Sequence, residues 1–562
     1  MTERRLKHWG WGYEDQAPSA TQLREAAEGI RARFGFGGEV GKPVPLEKVQ
    51  LREPRLRVPA GLEGLFSDDR YERISHALGK AYRDVVRGFR GEFREPPDLV
   101  AFPGEESEIE TVLSWAEAEG AAVIPFGGGT SVVGGVEPRL GERPVVSMDM
   151  RRLDRVLEVD PVSLGARIQA GATGPRLESQ LREHGLTLRH FPQSFEYSTL
   201  GGWIATRAGG HFATLETHVD DLVESVRAVT PRGAWESRRL PASGAGPSPD
   251  RLLIGSEGIL GAIAEAWVRV RLRPRFKASA GVEFGDFAAA GAAVREIAQS
   301  GLHPSNCRLL DAAEAELTGA GDGRGNLLIL GFESASQPVD ALLDSALEIA
   351  RGHGGDPGQV RSSDATDRPG EGTAGGDGEE GADAVGAWRG AFLLAPYLRD
   401  TFVACGVLSE TFESAITWDR FEQFHAGVME AARRAVAEVC AVPAEGPGAP
   451  RVSCRLTHVY PDGAAPYFTV LAPAVRGGEV EQWDEIKAAV SERCSTRAAR
   501  SPTTTPSAGT TGPGTTASAP PPSPPPCAPP RPSWTPPPFS TRASSSIPPE
   551  ASDRTPAFVL YR

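Results

Sequence analysis

Residues 97–135 read as a strand, a helix, a second strand and then a run of glycines, a succession that few folds use. Leu99, Val100, Ala101 and Phe102 are an apolar run suited to a short buried strand. Ile109, Val112, Leu113 and Ala116 recur at helical spacing, and Gly120 is placed to end that helix. Ala122–Ile124 is a second strand that leads directly into Pro125, Phe126, Gly127, Gly128, Gly129, Thr130 and Ser131. Glycine has no Cβ and reaches positive φ, so such a loop lets several backbone N–H groups surround a phosphate. It is not a Walker loop, because no Gly-Lys-Ser/Thr follows, and it lacks the GxGxxG that opens a Rossmann helix. Alone, it serves equally well as a tight structural turn.

Two later stretches change that balance. STLGGWIATRAGG carries Ser198, Thr199, Gly201, Gly202, Thr206 and Arg207, shortly after Pro192 and Ser194. Gly255, Glu257, Gly258, Gly261 and Ile263 form a third glycine-rich turn between apolar segments. Three such loops between residues 125 and 263 imply an extended ligand contacted along its length, which suits a dinucleotide. Around them the chain reads as α+β. Residues 1–95 are charged, with helical patches at Ala20–Phe34 and Tyr71–Gly88, and 96–275 hold the glycine loops among β-rich alternation. Residues 276–465 form a separate unit, with strand candidates near 278–284 and 327–332 and amphipathic helices at 286–300 and 338–352. Within it, 354–386 is dominated by Gly, Asp, Glu, Ser and Thr and reads as a flexible surface insertion. Residues 466–492 begin a C-terminal region, and 493–562 are so rich in Pro, Ser and Thr that they predict a disordered tail.

A formal charge of -14 argues against nucleic acid as a partner and leaves at most peripheral membrane contact, without excluding a local cationic pocket. Six scattered Cys read as reduced thiols, with no metal site or disulfide framework. The start, MTERRLKHWGWGYEDQ, has no apolar targeting core, and no stretch approaches the roughly 20 apolar residues of a membrane span. A cytoplasmic enzyme is the expectation. The tryptophans at 9, 11, 203 and 418 read as core.

The order PFGGGTS, HFPQSFEYSTLGGWIATRAGG, DDLVESVRAVTPRG and GSEGILGAIAEA resembles the FAD domain of the vanillyl-alcohol-oxidase and p-cresol-methylhydroxylase fold. That resemblance implies a two-subdomain FAD-binding domain with an α+β cap. The first loop would hold the FAD pyrophosphate, and the two later stretches would line the flavin and adenosine. Thr130 stands where covalently flavinylated relatives carry His, so FAD is expected to be held non-covalently. Within the fold, HWGWGYED, NCRLLD, APYLRD, LSETFESAITWDR and SCRLTHVYPDGAAPYFTV are similar to the alkylglycerone-phosphate synthase family. In that family acyl-dihydroxyacetone phosphate exchanges its acyl group for a fatty alcohol, with no net redox change. The resemblance places the base on Tyr467, phosphate-binding cations on Arg399, Arg308 and Arg455, and a further active-site position on His190. It leaves a homodimer open. From the residues alone, Tyr467 equally suits strand packing, the arginines suit structural ion pairs, and His190 suits a polar loop. An FAD-dependent dehydrogenase or oxidase of a 2-hydroxy acid, alcohol or glycerol phosphate is the competing enzyme. A non-catalytic remnant whose PxxP tail serves as a ligand is the third reading.

The family closes with a His-rich motif and a tail like LDPxxILNP, and neither is present; the last of the ten His is His458. In one permitted coding, Cys494–Ser507 read from the third base of the Cys494 codon gives Leu-Asp-Ala-Gly-Gly-Thr-Ile-Thr-His-His-His-Ala-Val. The same shift over Trp534–Pro549 gives a run containing Leu-Asp-Pro-Gly-Val-Leu-Ile-Asn-Pro. One base deleted beside the Glu492 codon accounts for both, and the chain as written is then expected to be poorly stable and inactive.

Overall fold

The computed structural model describes residues 4–212, 214–244, 246–364 and 396–496, the last five by backbone only. Three helices belong to the N-terminal region: α1 (Ala20–Phe34), α2 (Arg70–Ser75) and α3 (Tyr82–Phe89). α1 begins where Ser19 and Gln22 cap each other reciprocally, and it stops at Gly35, whose φ is +75°.

The first sheet has the order β1-β2-β4-β3, from Phe66–Ser67 (β1), Leu99–Ala101 (β2), Ala122–Phe126 (β3) and Val145–Asp149 (β4). β2, β4 and β3 pair in parallel, and their unbroken apolar runs follow from burial on both faces. Helix α4 (Glu106–Ala118) carries the chain from β2 to β3 and buries Ile109, Val112 and Ala116. The glycine loop therefore leaves the carboxyl end of a parallel strand, where open α/β sheets present ligand sites.

The second sheet is antiparallel, with order β5-β6-β10-β8-β9. Its strands are Val156–Asp160 (β5), Gly165–Gln169 (β6), Val223–Thr230 (β8), Gly233–Glu236 (β9) and Ala262–Arg269 (β10), while Leu186–Thr187 (β7) pairs separately with Arg271–Leu272 (β11). Helices α5 (Gly174–Arg182) and α6 (Leu200–Thr206) share its core, in which Ile168, Leu177, Trp203 and Ile204 are buried.

The third sheet holds nine strands. Phe276–Phe284 (β12), Asn306–Leu310 (β13), Asn326–Ser334 (β14), Asp356–Pro357 (β15), Arg361–Asp364 (β16), Val407–Glu413 (β17), Ile416–Thr417 (β18), Arg451–Val459 (β19) and Gly463–Pro473 (β20) make it up. Its path is β15-β12-β14-β13-β19-β20-β17. Alternate residues divide its two faces. Cys307, Leu309, Leu328, Leu330, Cys454, Leu456 and Phe468 join one large core with residues of the helices Phe287–Gln299, Asp340–Gly352 and Phe421–Val439. Each such buried leucine or phenylalanine contributes about 1.5–3 kcal/mol. The residues between them, Arg308, Leu310, Arg455 and Tyr467, point to the other face.

β15 and β16 correct one expectation. The segment 354–386 does not begin as a flexible insertion, because residues 356–357 and 361–364 hydrogen-bond to β12. Polar composition misleads there because an edge strand needs few apolar residues. The rest of that insertion and the tail beyond residue 496 lie outside the described residues. Among the described residues no helix is long and apolar enough to cross a membrane.

Candidate active site

The glycine loop forms one wall of a cavity of about 570 Å³. Phe126, Gly127, Gly128, Gly129 and Thr130 line it, together with Thr199, Tyr197, His76, Asp149, Lys80 and the N-terminal segment Arg4–Tyr13. A Cβ on Gly128 would overlap the carbonyl of Tyr197, so only glycine lets the loop lie this close to the start of α6. Among the described residues no hydrogen bond uses the backbone N–H of Gly127, Gly128, Gly129 or Thr130. A row of unused N–H groups beside a cavity fits the diphosphate of FAD. His76 and Asp149 lie beneath, with His76 Nε2 2.8 Å from the Asp149 carboxylate. Trp11, expected as core, is buried but also part of the cavity wall, whereas Trp203 is core.

The remaining expected cofactor residues build the surroundings of this loop. Thr199 caps α6 by accepting from Gly202 N, and Gly201 packs on Ala170. Ser194 O accepts from the Ser198 hydroxyl, which in turn accepts from Trp203 Nε1 at 2.7 Å. Pro192 O accepts from Phe195 N, and Ser131 Oγ accepts from Gly135 N. Gly255 N and Glu257 N donate to Ile204 O and Ala205 O at the end of α6. Gly258 lies against Pro125, Gly261 lies against Val229, and Ile263 is in β10. Arg207 pairs with Asp220, and Thr206 donates to Gly202 O. Of the expected set, Phe126–Thr130 and Thr199 line the cavity itself.

The polar face of the third sheet forms a second cluster. The register sets Leu310 opposite Arg455, Arg455 opposite Tyr467, and Tyr467 opposite Glu413. The Arg455 guanidinium lies 4.1 Å from the centre of the Tyr467 ring and 2.6 Å from Glu314. A β-bulge between Leu456 and His458 brings His458 opposite Ala465, and so onto the face of Arg455 and Tyr467. This face meets the glycine-loop half. Arg308 donates to His211 O at 2.8 Å, His458 Nε2 donates to Gly210 O at 3.0 Å, and His218 lies 3.0 Å from the Tyr460 hydroxyl. His190, expected from the family resemblance, sits at the same junction, buried edge-on to Trp203, and among the described residues neither ring nitrogen has a hydrogen-bond partner. Arg399 lies on the helix at 396–404, where it donates to Lys80 O.

Burial sets the charges. It pushes both His190 and His458 down to about 3, assisted in His458 by the nearby Arg308, so both imidazoles are neutral near pH 7. Burial and the neighbouring Arg455 lower Arg308 to about 9, with Glu413 opposing them, so Arg308 remains cationic. Burial also raises the Tyr467 phenol, while Arg455, a hydrogen bond with Thr411 and the charge of Arg399 pull it back. Lys80, His218, His458, Tyr460 and Glu413 were not anticipated, and the bulge that brings His458 onto this face leaves no local signal in the sequence.

Residues 97–237 match the family model for an FAD binding domain, and residues 273–495 match that for the C-terminal domain of FAD linked oxidases. An alkyldihydroxyacetonephosphate synthase of Trypanosoma brucei brucei is 31% identical over 423 residues, covering 74% of this chain and 67% of that protein. The one from Dictyostelium discoideum is 41% identical over 251 residues, a match that spans only 41% of its length. A solved alkyldihydroxyacetonephosphate synthase structure superposes with a TM-score of 0.74 at 26% identity, covering 88% of this chain and 94% of that one. On these matches, the chain is an FAD-binding flavoprotein and belongs to the alkyldihydroxyacetonephosphate synthase family.

Proposed function

We propose that this chain is built to exchange the acyl group of acyl-dihydroxyacetone phosphate for a fatty alcohol in ether-lipid synthesis. The observation that carries the reading is one sheet face, on which buried Arg308, Arg455 and His458 and half-buried Tyr467 meet buried His190 from the cofactor half. Bound non-covalently, FAD supplies a ring able to take up an electron pair from a substrate carbon. Arg308 and Arg455 supply the cations for a phosphate, and its arrival relieves the repulsion between the two guanidinium groups. Neutral His190 and His458 orient the ketone and its proton as hydrogen-bonding groups. Arg455 and Arg399 stabilise the phenolate that Tyr467 needs to take a proton next to that ketone. The four described cysteines that are free, Cys307, Cys405, Cys440 and Cys454, are all buried, which supports a cytoplasmic setting.

We also propose that the reading frame shifts beside the Glu492 codon. The match to the oxidase C-terminal domain ends at residue 495, next to that codon, which supports the idea. The test compares the chain as written with a frame-restored version, both FAD-loaded, given acyl-dihydroxyacetone phosphate and a labelled fatty alcohol. Alkyl product is expected from the restored chain and little from the chain as written. Equal rates would sink the frame reading. No product from either, with flavin bleached by a 2-hydroxy acid, would replace the synthase by a dehydrogenase. In the restored chain, Tyr467→Phe should lower kcat by about 10²- to 10⁴-fold while FAD affinity stays unchanged.

A further inference from the structure

The cavity that takes the cofactor is lined by several cations, and nearly all have a carboxylate partner. Arg4 pairs with Asp15 at 2.8 Å, Arg5 with Glu14 at 4.0 Å, and Lys7 with Asp400 at 2.6 Å. Arg151 pairs with Asp149 at 2.6 Å and Arg176 with Asp154 at 2.9 Å. Lys80 is different. Among the described residues its ammonium makes no ion pair and no hydrogen bond, although the side chain lines the cavity. Its backbone, by contrast, is fixed on both sides: Lys80 N donates to Ser131 O at 2.7 Å, and Lys80 O accepts from Arg399 at 2.8 Å. Gly79 makes this approach possible, because a Cβ there would overlap the carbonyl of Ser131. The chain therefore clamps a lysine against the end of the glycine loop and leaves its ammonium without a direct ion-pair partner among the described residues.

A cation held in a mostly protein-walled space without a counter-ion costs free energy, and burial accordingly lowers the Lys80 ammonium to about 8. Asp400 and Asp84 oppose that shift from a distance, but Lys7 already occupies Asp400. An anion entering the cavity would remove the cost. The diphosphate is the part of FAD that carries formal negative charge, and the unused N–H groups of Gly127–Thr130 border the same space.

We propose that Lys80 is the charge partner of the cofactor diphosphate, completing on one side the cradle that the glycine loop forms on the other. The proposal rests on the FAD reading of the cavity. Its test is titration of the apoprotein with FAD, followed by quenching of flavin fluorescence, together with displacement of FAD by ADP. Lys80→Met should weaken both FAD and ADP by about tenfold to a hundredfold, the range of one charge-assisted hydrogen bond. Lys80→Arg keeps the charge and should retain nearly wild-type affinity, which guards against a folding defect in the first variant. Equal FAD affinity in Lys80→Met and wild type would overturn the assignment while leaving the FAD reading intact. A loss of FAD affinity with ADP unchanged would overturn it too, by moving the lysine to the flavin end. Wild-type protein that binds no FAD would overturn both.

Discussion

A glycine advertises its purpose because nothing else tolerates the same approach. Gly128 is the sharpest case, pressed against the Tyr197 carbonyl at the start of α6. Gly128→Ala must push the loop or α6 aside, and we expect FAD affinity to fall by more than tenfold, about 1.4 kcal/mol or more, with little loss in thermal stability of the apoprotein. Fluorescence titration beside a melting curve checks this; unchanged FAD affinity would show that the loop can yield. Other residues give no such notice. Lys80 and Arg399, which touch through a backbone carbonyl, are 319 positions apart, and His218 meets Tyr460 across 242. Their meaning arises from contacts that no local pattern encodes.

Strands explain which functional groups were legible. Period-two reading of SCRLTHVY puts Arg455 and His458 on opposite faces, three residues apart. The bulge after Leu456 reverses His458, and a bulge is poorly visible in one sequence. Tyr467, Arg308 and Arg455 were reached through the family resemblance, since alternation alone suits strand packing and ion pairs equally well. The same face also couples β19 to the helix Ala312–Thr318, since Glu314 accepts from both Arg455 and Ser453. Arg455→Met strands the buried Glu314 carboxylate, and the expected loss is about 3–5 kcal/mol in denaturant unfolding. Adding Glu314→Gln should recover much of that stability without restoring phosphate affinity. Recovery of both would mean that Arg455 is only structural.

At the scale of the molecule, the N-terminal segment closes the cofactor chamber and is latched from the other half. Asp400 accepts from the Lys7 ammonium and from Trp11 N, and all of these groups are buried. Asp400→Ala leaves the Lys7 charge unpaired. Faster FAD release and quicker proteolytic clipping within residues 4–13 are expected, measured by flavin fluorescence and by mass of the fragments. Release and cleavage at wild-type rates would show that the latch contributes nothing. The motif HWGWGYED carried family resemblance in the sequence but not this role, which needs a partner nearly 400 residues away.

The division of the third sheet into two faces separates two kinds of inheritance. Leu309, Cys454, Leu456 and Phe468 answer to the helices behind them, and altering them costs stability. Arg308 and His458 reach across to the cofactor half, whereas Arg455 is also tied to Glu314 and lies over the Tyr467 ring. A descendant of this chain could therefore exchange one substrate for another by rewriting one face of three strands, provided Glu314 changes together with Arg455. Its hydrophobic core and its glycine cradle would not register the change.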